Sequence, residues 1–297
     1  MRRWNDANGW LAGRQSHFRR DAQRGLAVVL AAITAVLGAV AGVAAREAAP
    51  LIPAAPGSSE TVDHAPLDRL LKAYVRVGAD GINRVDYARF RAEGLDELKR
   101  YLLALQRRSP ATLGPAEHAA YFINLYNALT LDVALEHYPI ASIKAVRLAD
   151  PSGEVQDGPW KARLASVAGQ RLSLDDIAGK VLRPALMSRE PRGHYLLNCL
   201  SIGCPNLLPE AITGAKLERQ MAAAAAAFVR HPRALTVAGG KAKASSLFDW
   251  YAADFGGTAG VIQHMAAVGG AEVAGRLAGV TEFAEYDYDW ALADASR

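Results

Sequence analysis

The feature that most constrains this chain is a run of twenty apolar residues near its N-terminus. Residues 26–45, LAVVLAAITAVLGAVAGVAA, carry Thr34 as their only polar side chain. Twenty helical residues span about 30 Å, which is the thickness of the hydrocarbon core of a bilayer. The preceding residues 1–25 contain six arginines and two aspartates. Because such basic flanks stay on the cytoplasmic side, we expect the rest of the chain to lie outside the cytoplasm.

Three interpretations of this apolar segment stay open. Its length favours an uncleaved anchor, since a signal peptide has an apolar region of about 7–15 residues. A cleaved signal is the second, because small residues precede a cut near Ala45. A buried helix of the body is the third. We expect an inner-membrane protein with a periplasmic body, or a secreted periplasmic body if cleavage occurs. Gly38 and Gly42 form a small-xxx-small pair that favours weak dimerisation of membrane helices.

The composition then separates a linker from a folded body. Residues 46–65 are rich in proline and contain a Gly-Ser-Ser step, which predicts an unpacked linker. Residues 66–297 are expected to form one domain. The net charge of the whole chain is +4, and residues 1–25 account for all of it. A neutral body excludes the basic surface that nucleic-acid binding needs, so we expect no nucleic-acid partner.

Hydrophobic periodicity predicts a helix-rich α+β domain with a small sheet and no internal repeats. Helices are predicted over 66–77, 94–108, 114–139, 172–187, 215–232 and 258–268. Strands are predicted over 142–148, 194–201 and 283–292, with a hairpin around Gly239-Gly240.

The only two cysteines, Cys199 and Cys204, lie in the stretch HYLLNCLSIGCPNL. A strand over 194–201 would point His194 and Cys199 to opposite faces, which makes Cys199 a core residue. Pro205 is suited to the first turn of a helix, so Cys204 is predicted at a helix N-terminus. Exposed N–H groups at that position lower the pKa of a thiol and can hold an oxyanion.

Three hypotheses for Cys204 follow. In the first, Cys204 is a nucleophile, with His194 as the first choice of base and Asp254 or Asn127 as the residue that orients the histidine. In the second, Cys204 is a structural turn residue without reactivity. In the third, Cys204 forms a disulfide with Cys199, which export from the cytoplasm would permit. The spacing supplies too few ligands for zinc, so we expect no metal and no cofactor.

A polar stripe interrupts the longest apolar helix. Asn124, Asn127 and Thr130 recur at intervals of three residues. Burying an amide without a partner costs about 1–3 kcal/mol, so these amides need hydrogen bonds. They either pin a neighbouring backbone segment or face a pocket and bind a ligand.

The stretch FDWYAADF, residues 248–255, combines aromatic and acidic side chains. Trp250 and Tyr251 are candidates to line a sugar or peptide groove, together with Asp249. Asp254 is the candidate third member of a catalytic triad. The alternative is aromatic core packing with both aspartates as helix caps.

Taken together, five stretches resemble the domain of unknown function 547 family. YFINLYNALTL, LSLDDI, HYLLNCLSIGCPNL, FDWYAADF and YDYDWAL occur in that family's order, across residues 67–292. The resemblance implies a bacterial envelope or plant protein without a settled activity. The positions that match the family's motifs are Asn124, Asn127, Cys204, Pro205, Trp250, Tyr251, Asp254 and Phe255.

Two adjacent positions depart from that pattern. The family has Ile-Glu-His after its Ser-Leu-Asp-Asp step, whereas this chain has Ile177, Ala178 and Gly179. The resemblance therefore puts any chemistry of that Glu-His pair in doubt here. We expect a binding module for a peptide, a glycan or an envelope partner. The alternatives are a thiol-dependent acyl-transfer or hydrolytic enzyme that uses Cys204, and a structural envelope protein with a Cys199–Cys204 disulfide.

Overall fold

The computed structural model describes residues 49–297, in which shorter helices enclose one long central helix. The α-helices are α1 (Ala65–Tyr74), α2 (Tyr87–Glu93), α3 (Leu95–Arg107), α4 (Pro115–His137), α5 (Leu174–Asp176), α6 (Leu217–Arg230), α7 (Leu247–Trp250), α8 (Gly257–Gly269) and α9 (Ala271–Arg276). A π-helix over Ile177–Met187 continues α5. The predicted helices over 94–108, 114–139, 215–232 and 258–268 are confirmed to within a few residues.

Helix α4 is the centre of the core because it is apolar on every side. Only a helix surrounded by other elements can bury all of its faces. Pro115 occupies its first turn, where the missing N–H costs nothing. Its polar residues Asn124, Asn127 and Thr130 are buried with the rest.

The strands are short and form four separate small sheets. They are β1 (Val75–Val77), β2 (Asn83–Val85), β3 (Arg147–Ala149), β4 (Val155–Asp157), β5 (Ala165–Val167), β6 (Gln170–Leu172), β7 (Leu235–Ala238), β8 (Lys241–Ser245) and β9 (Glu285–Asp287). Three antiparallel pairs are β1–β2, β3–β4 and β5–β6. In the fourth sheet, β8 pairs antiparallel with β7 and parallel with β9. The predicted hairpin is confirmed, with Gly239 and Gly240 both at positive φ in its turn.

The prediction of a helix-rich α+β fold is confirmed for the described residues, but their strands form four small sheets rather than the one small sheet predicted. None of the helices in that part of the chain is both long and apolar enough to cross a membrane. The predictions for the basic residues 1–25, the apolar segment 26–45, Gly38 and Gly42, and a cut near Ala45 lie outside the described residues.

The proline-rich segment packs on the body earlier than the sequence suggested. The N–H of Leu51 donates to the carbonyl of Lys180 at 2.8 Å, and Ile52 is buried. The N–H of Ala55 donates to the carbonyl of Leu113 at 2.8 Å. Residues 51–64 are irregular, as prolines require, but the start of the packed structure was placed too late at Pro66.

Three local predictions differ from the structure. Residues 194–201 are not a strand, because Pro191 begins a 3-10 helix that runs to Leu196. No helix begins at Pro205, and the chain stays irregular as far as Gly214. Side-chain amides supply the hydrogen bonds of this irregular segment, as described below. The predicted helix over 66–77 also ends early, because residues 75–77 pair as strand β1.

Candidate functional site

Four partly exposed aromatic side chains meet on one surface, which we call the aromatic cluster: Trp160, Trp250, Tyr288 and Trp290. The Tyr288 ring centroid lies 4.8 Å from that of Trp250 and 4.7 Å from that of Trp290. The Trp290 centroid lies 5.7 Å from both other tryptophans. Every tryptophan of residues 49–297 therefore belongs to one group.

Backbone contacts between distant segments hold the aromatic cluster together. The N–H of Ser246 donates to the carbonyl of Asp287 at 2.9 Å, which joins the start of α7 to the end of β9. This contact places Trp250 beside Tyr288. Gly158 has a φ of 81°, and a Cβ added there would lie 1.8 Å from the Trp160 ring. Only glycine at 158 therefore allows the observed position of Trp160.

Charged groups surround these rings. The ammonium group of Lys144 lies 4.9 Å from the Trp290 centroid, in a cation–π contact. Asp249 and Asp289, each next in sequence to a ring of the aromatic cluster, are exposed. Lys161, the residue after Trp160, lines an open cleft of about 240 Å³. Its charged lining residues are Asp150, Lys161, Arg163, Asp175, Asp176 and Lys180.

A disulfide lies next to the aromatic cluster. Cys199 and Cys204 are bonded to each other. The Tyr288 hydroxyl lies 3.0 Å from the Cys204 sulfur and 3.1 Å from the Cys199 sulfur. Burial raises the pKa of Tyr288 well above its usual value, so its hydroxyl keeps the proton that it donates.

A second group, which we call the histidine site, contains His194, Asp254, Arg183 and Tyr251. The Nε2 of His194 lies 2.9 Å from Oδ2 of Asp254. The Nε of Arg183 donates to the other carboxylate oxygen, Oδ1, at 2.8 Å. The Tyr251 ring stacks on the imidazole with centroids 4.2 Å apart. The structure thus brings together His194 and Asp254, which are 60 residues apart in sequence.

The electrostatics of the histidine site favour a neutral imidazole beside an ionised carboxylate. Burial lowers the pKa of His194, and the hydrogen bond to Asp254 only partly offsets this. Burial raises the pKa of Asp254, but hydrogen bonds from His194 and Arg183 outweigh that effect and leave the pKa lowered. Burial also raises the pKa of Tyr251 to about 12. The Arg183 guanidinium supplies the positive charge that the carboxylate requires.

The two asparagines of α4 pin the backbone of the segment that crosses it. Asn127 donates to the carbonyl of Leu196 at 2.8 Å and accepts from the N–H of Asn198 at 2.9 Å. Asn124 donates to the carbonyl of Ile212 at 2.7 Å and accepts from its N–H at 3.0 Å. The cavity beside these amides has a volume of only about 10 Å³. Of the two interpretations, the pinning of a neighbouring segment matches these contacts.

The predicted thiol nucleophile does not fit this geometry. Cys204 has no free thiol while it is bonded to Cys199, and it does not stand at a helix N-terminus. The hydrogen bonds described for residues 49–297 join His194 to Asp254 and to neither cysteine. Within residues 49–297, the structure therefore pairs His194 with Asp254 and leaves both cysteines outside that pair.

Sequence reasoning missed Trp160, Tyr288 and Trp290. The sequence places Trp160 some 90 residues before Trp250, so no local pattern connects them. Trp160 follows Gly158-Pro159, and Trp250 and Trp290 each follow an aspartate, but these neighbours do not indicate that the three rings meet. Among the described residues, no group of three or more His, Cys, Asp or Glu side chains comes together in a way that could hold a metal ion.

Comparison with known protein families identifies the central part of the chain. Residues 110–229 match the family described as protein of unknown function, DUF547. These residues form a DUF547 domain. The DUF547 match includes α4, the π-helix, His194 and both cysteines, whereas Trp250, Asp254 and Trp290 lie beyond it. Comparisons with curated proteins and with solved structures return no match.

Ala178 packs against the core, and Gly179 is exposed with open space where a Cβ would lie. The π-helix is therefore packed at Ala178 and open to solvent at Gly179.

Proposed function

We propose that the body of this protein is a binding module whose ligand is a glycan held on the aromatic cluster. The observation that carries the proposal is that every tryptophan of residues 49–297 belongs to one partly exposed group. Aromatic rings bury large apolar areas on contact, and grouped exposed rings mark binding surfaces. The apolar C–H face of a sugar ring is complementary to such a surface.

The groups around the rings support a glycan ligand. Hydroxyl and acetamido groups of a sugar need donors and acceptors at the edge of an apolar contact. Lys144, Asp249 and Asp289 supply both kinds of group beside the rings. The cleft lined by Lys161, the residue after Trp160, carries further carboxylates and ammonium groups. The export signal predicted in residues 26–45 would bring this surface to the glycan of the cell wall.

The proposal predicts that the full-length chain binds peptidoglycan sacculi and that single changes in the aromatic cluster abolish most of this binding. Trp250→Ala and Trp290→Ala are each expected to weaken binding at least tenfold, which corresponds to about 1.4 kcal/mol. Gly158→Ala keeps every ring but displaces Trp160, so it is also expected to weaken binding. Co-sedimentation and tryptophan fluorescence titration measure both effects.

The matched control is Leu103→Ala, which removes an exposed apolar side chain from α3, outside the aromatic cluster. Sacculi stripped of their stem peptides by an amidase separate a glycan ligand from a peptide ligand. Binding lost with the stem peptides indicates a peptide and contradicts the proposal. Equal binding by all variants, or no binding to either preparation, also contradicts it.

A further inference from the structure

The Cys199–Cys204 disulfide lies in a setting that stabilises a thiolate. The Cys204 sulfur accepts a hydrogen bond from the N–H of Cys199 at 3.0 Å and one from the hydroxyl of Tyr288 at 3.0 Å. Donors that point at a sulfur favour its charged form and therefore lower the pKa of the thiol. Arg233 adds a positive charge to this loop, since its guanidinium donates to the carbonyl of Ile202 at 3.0 Å.

The loop that carries the two cysteines is held in place without the disulfide. Asn198 donates to the carbonyl of Pro205 at 2.5 Å and accepts from the N–H of Leu200 at 2.6 Å. The N–H of Gly203 donates to the carbonyl of Asp289 at 2.8 Å. Asn127 binds the same loop at the N–H of Asn198. The two sulfurs should therefore stay close together after the bond between them is broken.

The two sulfurs differ in access and in backbone strain. Cys204 is only 3% exposed, whereas Cys199 is half-buried. Of the two cysteines, Cys199 is therefore the residue more open to solvent. Leu200, directly after Cys199, has a φ of 62°, a conformation that is unfavourable for a bulky residue. Such strain is typical of functional loops.

We infer that this disulfide is redox-active and accepts electrons from a dithiol. A thiolate of the dithiol attacks the Cys199 sulfur, the disulfide breaks, and Cys204 leaves as a thiolate stabilised by Tyr288 and by the Cys199 N–H. The second thiol of the dithiol, as its thiolate, then attacks the dithiol's first sulfur, which is bonded to Cys199 in the mixed disulfide. A new sulfur–sulfur bond forms within the dithiol, and Cys199 leaves as a thiolate. The dithiol loses two electrons and becomes a disulfide. Cys199 and Cys204 gain those electrons and, with two protons, become thiols.

This activity is independent of glycan binding, because it needs the Tyr288 hydroxyl and the proposed glycan surface needs the Tyr288 ring. The test uses the full-length chain with dithiothreitol as the dithiol. A maleimide-polyethylene glycol gel shift measures the reduced fraction over time, and circular dichroism follows the fold in parallel. We expect complete reduction at millimolar dithiothreitol while the circular dichroism spectrum stays native.

The variant Tyr288→Phe keeps the ring but removes the donor to the leaving sulfur, so reduction should slow about fivefold. Tyr286→Phe is the matched control, because it removes a tyrosine hydroxyl two residues away that does not contact the disulfide; it should react like the unmodified chain. In the reduced protein, the ultraviolet absorbance of the thiolate should report a thiol that titrates below the usual value of about 8.5. Reduction that requires unfolding, equal rates for the two variants, or a thiol that titrates at or above that value would each overturn the inference.

Discussion

Replacing Asn127 with alanine is expected to lower the free energy of unfolding by about 3 kcal/mol, because two buried backbone groups lose their partners. The side chain bonds the carbonyl of Leu196 and the N–H of Asn198, and it is 7% exposed. Each buried group left unpaired costs about 1–3 kcal/mol. Urea unfolding followed by circular dichroism measures the change.

The effect of this substitution should extend into the cysteine loop. Asn198 is itself the residue that binds Leu200 and Pro205, so its displacement frees both ends of the loop. Hydrogen exchange at the N–H groups of Asn198 and Leu200 should become faster than in the unmodified chain.

Thr130→Val is the matched control, because Thr130 lies on the same helix and is fully buried. Its hydroxyl donates only to the carbonyl of Tyr126 in the preceding turn. We expect this substitution to change the free energy of unfolding by less than about 1 kcal/mol, since the shape is conserved and the helix keeps its backbone bonds. A loss at Asn127 no larger than the loss at Thr130 would mean that the amide does not pin the loop.

The fold was predictable where local patterns determine it, and not where a side-chain amide such as that of Asn127 does. Helices such as α4 and α6 were predictable because their apolar residues recur with a helical period and prolines mark their ends. The hairpin between β7 and β8 was predictable from its two glycines. Residues 194–201 looked like a buried strand from composition alone. In the structure, the partner of that segment is the side chain of Asn127 rather than another strand, and no local pattern reports such a partner.

The candidate site was likewise predictable from the sequence only in part. The sequence proposed Asp254 as a partner of His194 because triad chemistry pairs these residue types, and the structure brings the two together. The sequence also singled out Trp250. It did not connect Trp250 with Trp160 or Trp290, because those contacts depend on the parallel pairing of β8 with β9 and on the glycine at 158.

Acidification from pH 7 to pH 5 is expected to lower the free energy of unfolding by roughly 3 kcal/mol, because buried histidines resist protonation in the folded state. Burial lowers the pKa of His64, of His118 and of His194. Burial also lowers the pKa of His264, to about 4.

The sign follows from the protons bound by each state. Below the unfolded histidine pKa of about 6.5, the unfolded chain takes up protons that the folded chain does not bind. The folded state therefore loses stability as the pH falls, by up to about 1.4 kcal/mol per pH unit for each fully buried histidine. His264 contributes less to this loss of stability than the other three histidines, because it is partly exposed. Burial raises the pKa of Asp132 and that of Asp175, which opposes the loss as these carboxyls take up protons.

Urea unfolding at several pH values between 7 and 5 measures this dependence. His264→Gln removes one of the four histidines. The plot of unfolding free energy against pH should therefore become shallower, by up to the slope that one proton contributes, about 1.4 kcal/mol per pH unit. His137→Gln, at an exposed position near the end of α4, controls for the loss of a histidine as such. A free energy of unfolding that stays constant between pH 7 and pH 5, together with an unchanged pH dependence in His264→Gln, would show that the buried imidazoles bind protons equally well in both states. The neutral His194 beside the Asp254 carboxylate would then be the wrong description of the histidine site.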